Sequence, residues 1–212
     1  MNKTFFIILL VLSHAAALFV GAGFLSSKKP YKLVPVNESK VKLSNPYGFN
    51  SIGKPDSPIK IVELARLDCQ GCAKTSKVVT QLLDSYKNKI YYSYRPMKIK
   101  KGEAFDKISR GLYAAGKLGK FWDYRNYFYT NIDDPGIWTL QSIDIAIKKL
   151  NLPEKQFYAL MESKEAKNYV DHETKVSSSI YTFYVPSFLI NGKLVVGGRN
   201  LEDFKKIIDS KL

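Results

Sequence analysis

Cys69 and Cys72 are the only 2 cysteines in the chain. The apolar run before them, residues 59–64, gives way to a stretch in which Val78, Val79, Leu82, Leu83 and Tyr86 recur at helical spacing. A strand running into Cys-x-x-Cys, with the second cysteine inside a helix, is a layout for thiol–disulfide chemistry. Free N–H groups and the dipole of a first helical turn favour a thiolate on Cys69. The i, i+3 spacing brings the Cys72 sulfur within bonding range, so the pair can cycle between dithiol and disulfide. Three other readings compete. A zinc site needs about four ligands, and two cysteines with His172 fall short. A static disulfide closing so short a loop adds little stability. Two inert buried thiols leave the spacing and position unexplained.

The elements that must hold such a pair follow in order. Residues 58–64 read as a first core strand and residues 74–86 as a helix that Asn88 ends. Residues 90–95, rich in β-formers and stopped by Pro96, read as a second strand. Strand, helix and strand of this size make a parallel βαβ unit. A helical insertion is expected over about residues 103–181. Ile108, Leu112, Ala115 and Leu118 mark one helix, and Phe121, Trp122, Tyr124, Tyr127, Phe128 and Tyr129 another. An amphipathic helix spans residues 139–150, Pro153 starts the next, and a further one covers residues 164–179. The aromatic stripe is read as core, with a peptide-binding surface as the alternative. Strands at residues 187–190 and 193–196 flank Asn191-Gly192, a strong hairpin signal. Leu201, Phe204, Ile207 and Ile208 then mark a C-terminal amphipathic helix.

Length suits one α/β domain with an insertion. The formal net charge is +14, mostly from lysine, with Arg66, Arg95, Arg110, Arg125 and Arg199 the only arginines. The lysines are spread along the chain. A nucleic-acid protein would show a clustered basic patch containing arginine, so no nucleic-acid partner is expected. Residues 1–27 read as a signal peptide or membrane anchor. The apolar run 5–25 is long enough to span a bilayer, yet small residues around Ala15–Ala17 and Val20–Ala22 suit cleavage. Either way the remainder is exported, into an oxidising compartment. Residues 28–57, with Pro30, Pro35, Pro46 and Pro55, read as a linker, with a possible edge strand at Val41, Lys42 and Leu43. The domain proper is expected over residues 58–212.

The order β-α-β, helical insertion, β-β-α resembles the thioredoxin fold. Four stretches together resemble the DsbA-like family of exported thiol–disulfide oxidoreductases. They are residues 53–58 before the first strand, Cys69-Gln70-Gly71-Cys72, Gly119-Lys120-Phe121-Trp122 in the insertion, and Val185-Pro186 leading into the Asn191-Gly192 hairpin. The likeness covers about residues 51–212. It implies that Cys69 is the exposed nucleophile and Cys72 the resolving thiol. It implies that Pro186 is cis, packs against the disulfide and, with Val185, holds substrate backbone beside Gln70 and Gly71. Val185 matches the residue before this proline in oxidase-type members. Glu63 matches a buried acidic residue beneath the disulfide that relays a proton to or from Cys72. A carboxyl in so apolar a strand has a raised pKa; the alternative is a solvated Glu at an edge. One departure is Gln70-Gly71 where strong oxidases usually carry proline then histidine, which implies less stabilisation of the thiolate.

The resemblance further implies that the chain oxidises cysteine pairs of exported proteins at the periplasmic or extracytoplasmic face, using no cofactor beyond the Cys69–Cys72 disulfide and a membrane redox partner. The alternatives are a disulfide reductase or isomerase, and a non-catalytic client-binding module on the same scaffold.

Overall fold

The computed structural model describes residues 34–35, 45–97, 102–179 and 184–210, with residues 34, 35 and 177–179 described by their backbone alone. The expected leader or anchor and the possible strand at Val41 to Leu43 lie outside them.

One mixed sheet organises the described residues. Its strands in chain order are β1 (Val34–Pro35), β2 (Ser51–Ile52), β3 (Ile59–Ala65), β4 (Ile90–Pro96), β5 (Ser187–Ile190) and β6 (Lys193–Val196), and they lie in the order β1-β6-β5-β3-β4-β2. β3 and β4 are parallel, as the crossover between them requires, and the other neighbours are antiparallel. The two outermost strands come from the stretch expected to be a linker. β1 pairs with β6 and β2 with β4. Asn50, fully buried, donates through its side chain to the Tyr94 carbonyl. Two-residue strands carry no readable periodicity, so composition alone concealed them.

The helices are α1 (Gln70–Tyr86), α2 (Glu103–Lys117), α3 (Phe121–Thr130), α4 (Gln141–Lys149), α5 (Glu154–Met161), α6 (Lys164–Ser179) and α7 (Leu201–Asp209). The insertion is α2 to α6, between β4 and β5. α2 and α3 approach closely because Gly111 leaves room for the Tyr124 phenol, where a Cβ would not fit. The hairpin is as its residues require. Asn191 and Gly192 both have positive φ, 44° and 77°, the conformation of a two-residue turn between twisted strands. Asn191 also ties the turn to β3: the Lys60 N–H donates to Asn191 Oδ1 at 2.7 Å, and Asn191 Nδ2 donates to the Pro58 carbonyl at 3.1 Å.

Side chains alternate across the sheet, and the two faces have different cover. Val62, Leu64, Leu189 and Leu194 pack with Val176 of α6. On the same face Arg95 forms a buried ion pair with Glu173 of α6. On the opposite face lie Glu63, its neighbour Phe188 on β5, and Tyr94 on β4. Phe188 meets Phe204 of α7 edge-on at 4.9 Å between ring centroids, and α7 packs in turn against α1. Residues of α3 cover the Tyr92 and Tyr94 part of this face.

Candidate active site

α1 starts at Gln70, earlier than its apolar pattern indicates, because Cys69 is itself the cap. Cys69 is extended, and the Cys72 N–H donates to the Cys69 sulfur at 3.0 Å. That sulfur thus takes the place of the oxygen that usually satisfies a free N–H in the first turn. Cys69 and Cys72 are joined as a disulfide, with Cα atoms 5.1 Å apart. Cys72 is fully buried and Cys69 half-buried. Of the two cysteines, only Cys69 has exposed surface.

The segment before β5 closes over the pair. The Val185–Pro186 peptide bond is cis, and the Val185 carbonyl oxygen lies 3.7 Å from the Cys69 sulfur. Pro186 is buried and Val185 half-buried. Gly71 is exposed beside them, and a Cβ there would lie 3.6 Å from Pro186 Cδ and 3.8 Å from the Cys69 sulfur. Gly198, after β6, gives the Thr75 hydroxyl room, and a Cβ there would also lie 3.7 Å from Pro186 Cγ. Gln70 is exposed and points toward the insertion, where its Nε2 donates to Asp133 at 2.7 Å.

Glu63 has no exposed surface, so the solvated alternative does not hold. Tyr92 O–H donates to Glu63 Oε2, and Glu63 Oε1 is buried without a hydrogen-bond partner. Burial pushes the Glu63 carboxyl up from its ordinary value, while the Arg125 charge and the Tyr92 hydrogen bond pull it back. Arg125, only 5% exposed, lies over the rings of Trp122, Tyr94 and Tyr129 at 4.8, 5.2 and 5.4 Å.

The structure brings Cys69, Cys72, Gly71, Val185 and Pro186 together at one end of the sheet. Glu63 and Cys72 are both wholly buried. Arg66 gives Cys69 no free positive charge, because it pairs with Asp68 at 3.0 Å. Lys74 instead lines a cleft of about 510 Å³ between α1 and α3. Tyr92 and Arg125 were missed by sequence reasoning. Tyr92 reads as an ordinary strand residue and Arg125 as one polar position in an aromatic stripe. The only local signal was an arginine inside that stripe.

A family model described as thioredoxin matches residues 46–210. The chain belongs to the thioredoxin family. As a thioredoxin-family chain it has the expected α/β fold with the helical insertion. It is 25% identical over 189 residues to a protein from Bacillus cereus named probable disulfide bond formation protein D, a match covering 84% of this chain and 86% of the relative. Among solved structures it resembles the thiol–disulfide exchange protein alpha-DsbA2 from Wolbachia pipientis, with a TM-score of 0.67 and 20% identity over 82% of this chain and 90% of the other. It also resembles a thioredoxin-like oxidoreductase from Silicibacter pomeroyi, with a TM-score of 0.65 and 21% identity over 79% and 97%. No helix among the described residues is long and apolar enough to cross a membrane, and no cluster of three or more His, Cys, Asp or Glu side chains among them could hold a metal ion.

Proposed function

We propose that the Cys69–Cys72 disulfide oxidises cysteine pairs of exported proteins. The observation that carries this reading is the asymmetry of the pair: a half-exposed Cys69 capping α1 and a wholly buried Cys72. The chain is a thiol–disulfide oxidoreductase, on its family, its disulfide and its kinship with a disulfide bond formation protein.

The reaction runs in two exchanges. A substrate thiolate attacks the Cys69 sulfur, the Cys69–Cys72 bond breaks, and its electron pair leaves on Cys72. Glu63 gives that thiolate a proton. A second substrate thiolate attacks the substrate sulfur of the mixed disulfide and releases Cys69 as a thiolate, held by the α1 N-terminus. The substrate loses two electrons and the protein gains them. Val185 and Pro186 hold the substrate backbone, with Gln70 and Gly71 beside it. A membrane redox partner re-oxidises the pair, and residues 5–25 export the chain and tether it if uncleaved.

The test uses a reduced, unfolded client with two cysteines. The oxidised protein should form the client's disulfide, and Cys69→Ser should abolish turnover. Pro186→Thr, by altering the packing beside Cys69, should lengthen the life of Cys69–client mixed disulfides on non-reducing gels. Unchanged activity with no trapped species would count against the role of Pro186. One feature favours a second reading, reduction or isomerisation: Gly71 offers no side-chain donor to the thiolate. Thiol trapping in cells separates them, because an oxidase is found mostly oxidised and a reductase mostly reduced.

A further inference from the structure

Tyr92 and Arg125 form a directed chain to the buried carboxyl group. A guanidinium only donates, and Arg125 Nη1 lies 3.5 Å from the Tyr92 oxygen. Accepting there leaves the Tyr92 hydroxyl proton free to point at Glu63 Oε2, as it does. A proton taken up by Glu63 therefore belongs on Oε1, the atom without a partner. Arg125 Nε and Nη2 are engaged by Asn126 Oδ1 at 3.2 and 2.9 Å, so the guanidinium is held in place. The same side chain lines the cleft between α1 and α3.

We propose that Arg125, acting through Tyr92, is the positioning residue that balances the charge of Glu63 during thiol exchange at Cys72. The proposal rests on the relay role given to Glu63. Among the described residues, the charged and titratable groups that face this carboxyl from the neighbouring elements are Tyr92 and Tyr94 of β4 and Arg125 and Tyr129 of α3. Asp68 reaches the group through Tyr94 and is itself paired with Arg66. Arg125 is thus the cation that makes an ionised Glu63 tolerable inside the protein. In the reverse exchange, the Cys72 thiol gives its proton to Oε1. The Cys72 thiolate then attacks Cys69 in a mixed disulfide, and the electron pair leaves with the other sulfur as a thiolate.

The experiment follows the resolution of a Cys69–glutathione mixed disulfide by Cys72 in the full chain, by stopped flow, across acid and neutral pH. The parent should show an acid limb that Glu63→Gln removes. Arg125→Met should raise the midpoint of that limb by about one to three pH units, the effect of losing an adjacent opposite charge. Tyr92→Phe should raise it by less, and Arg125→Lys should bring it back toward the parent. If Arg125→Met does not fold, the neutral Arg125→Gln and Tyr92→Phe carry the test, with Arg125→Lys as the charge-keeping control. An unchanged profile in Glu63→Gln overturns the relay reading. Loss of the limb in Glu63→Gln, with the midpoint at the parent value in the folded neutral Arg125 variant and in Tyr92→Phe, overturns this proposal alone.

Discussion

Glu63 and Gly71 are the two residues whose chemistry departs furthest from their surroundings. Burial raises the Glu63 pKa in the folded protein. Below the ordinary value of about 4.3 both folded and unfolded chains hold its proton. As pH rises past that value the unfolded chain releases the proton first, so stability falls until the folded carboxyl also ionises. The contribution of Glu63 is thus full below the unfolded value and lost as pH rises through the folded one. Glu63→Gln should match the parent in acid and become the more stable of the two as pH rises toward neutral. Urea midpoints of the oxidised proteins at several pH values measure this, and parallel curves would sink it. Gly71 stands where a Cβ makes ordinary van der Waals contact with Pro186 and Cys69, so a side chain fits. In Gly71→His a ring N–H can reach the Cys69 thiolate. One hydrogen bond to a charged group is worth about 1.5–3 kcal/mol, or roughly 30–60 mV for a two-electron couple. The parent potential should lie between the roughly −270 mV of thioredoxin and the roughly −120 mV of the strongest oxidant, with Gly71→His above it. Equilibration with glutathione buffers and alkylation of the dithiol fraction gives both values. No rise would mean that another group governs the thiolate.

At the scale of elements, α1 is both a packing unit and part of the chemistry. Its N-terminus holds the Cys69 sulfur through the Cys72 N–H, so Cys69 should react with iodoacetamide well below the ~8.5 of a free thiol. Equal alkylation of both reduced cysteines at an ordinary pKa would contradict the asymmetry. α7 braces the opposite side of that arrangement. Phe204 is fully buried and meets Phe188, which lies beside Glu63 on β5. Phe204→Ala should cost about 3–5 kcal/mol by cavity formation, read from the denaturant midpoint. The hairpin matters for the same reason. Asn191 anchors β5 and β6 to β3, which sets where Val185 and Pro186 arrive over the disulfide.

For the whole molecule, the question is what couples the insertion to the sheet. Arg95 on β4 and Glu173 on α6 are both fully buried and bonded through two guanidinium nitrogens. Removing the carboxylate takes from the buried guanidinium the charge partner it holds through two bonds, whereas replacing both with apolar groups removes the two charges together. Glu173→Leu should therefore cost roughly 3–5 kcal/mol, and the double variant Arg95→Met, Glu173→Leu should recover most of that. Thermal and urea unfolding of the parent, single and double variants decides it. A double variant as unstable as the single would mean the pair positions α6 by geometry that apolar side chains do not reproduce. The net charge of +14 has no comparable focus. The lysines are spread along the whole sequence, which suits solubility and loose attraction to acidic surfaces rather than a site.

What the sequence determined by itself is local. Cys69 and Cys72 declare their chemistry by spacing, α1 and α7 by their apolar periodicity, and the Asn191-Gly192 turn by residues that accept positive φ. Each is settled within a few positions, where chain geometry leaves few alternatives. Glu63 was legible only as an oddity, a carboxyl in an apolar strand. Its partners were not, because Tyr92 lies 29 positions away and Arg125 a further 33. The order of strands in the sheet and the packing of α3 bring them together. The edge strands β1 and β2 were hidden for a related reason: two residues pair with a neighbour only once that neighbour is in place. Tertiary structure alone decided the environment of the buried carboxyl, since burial and opposite charge act through space and not along the chain.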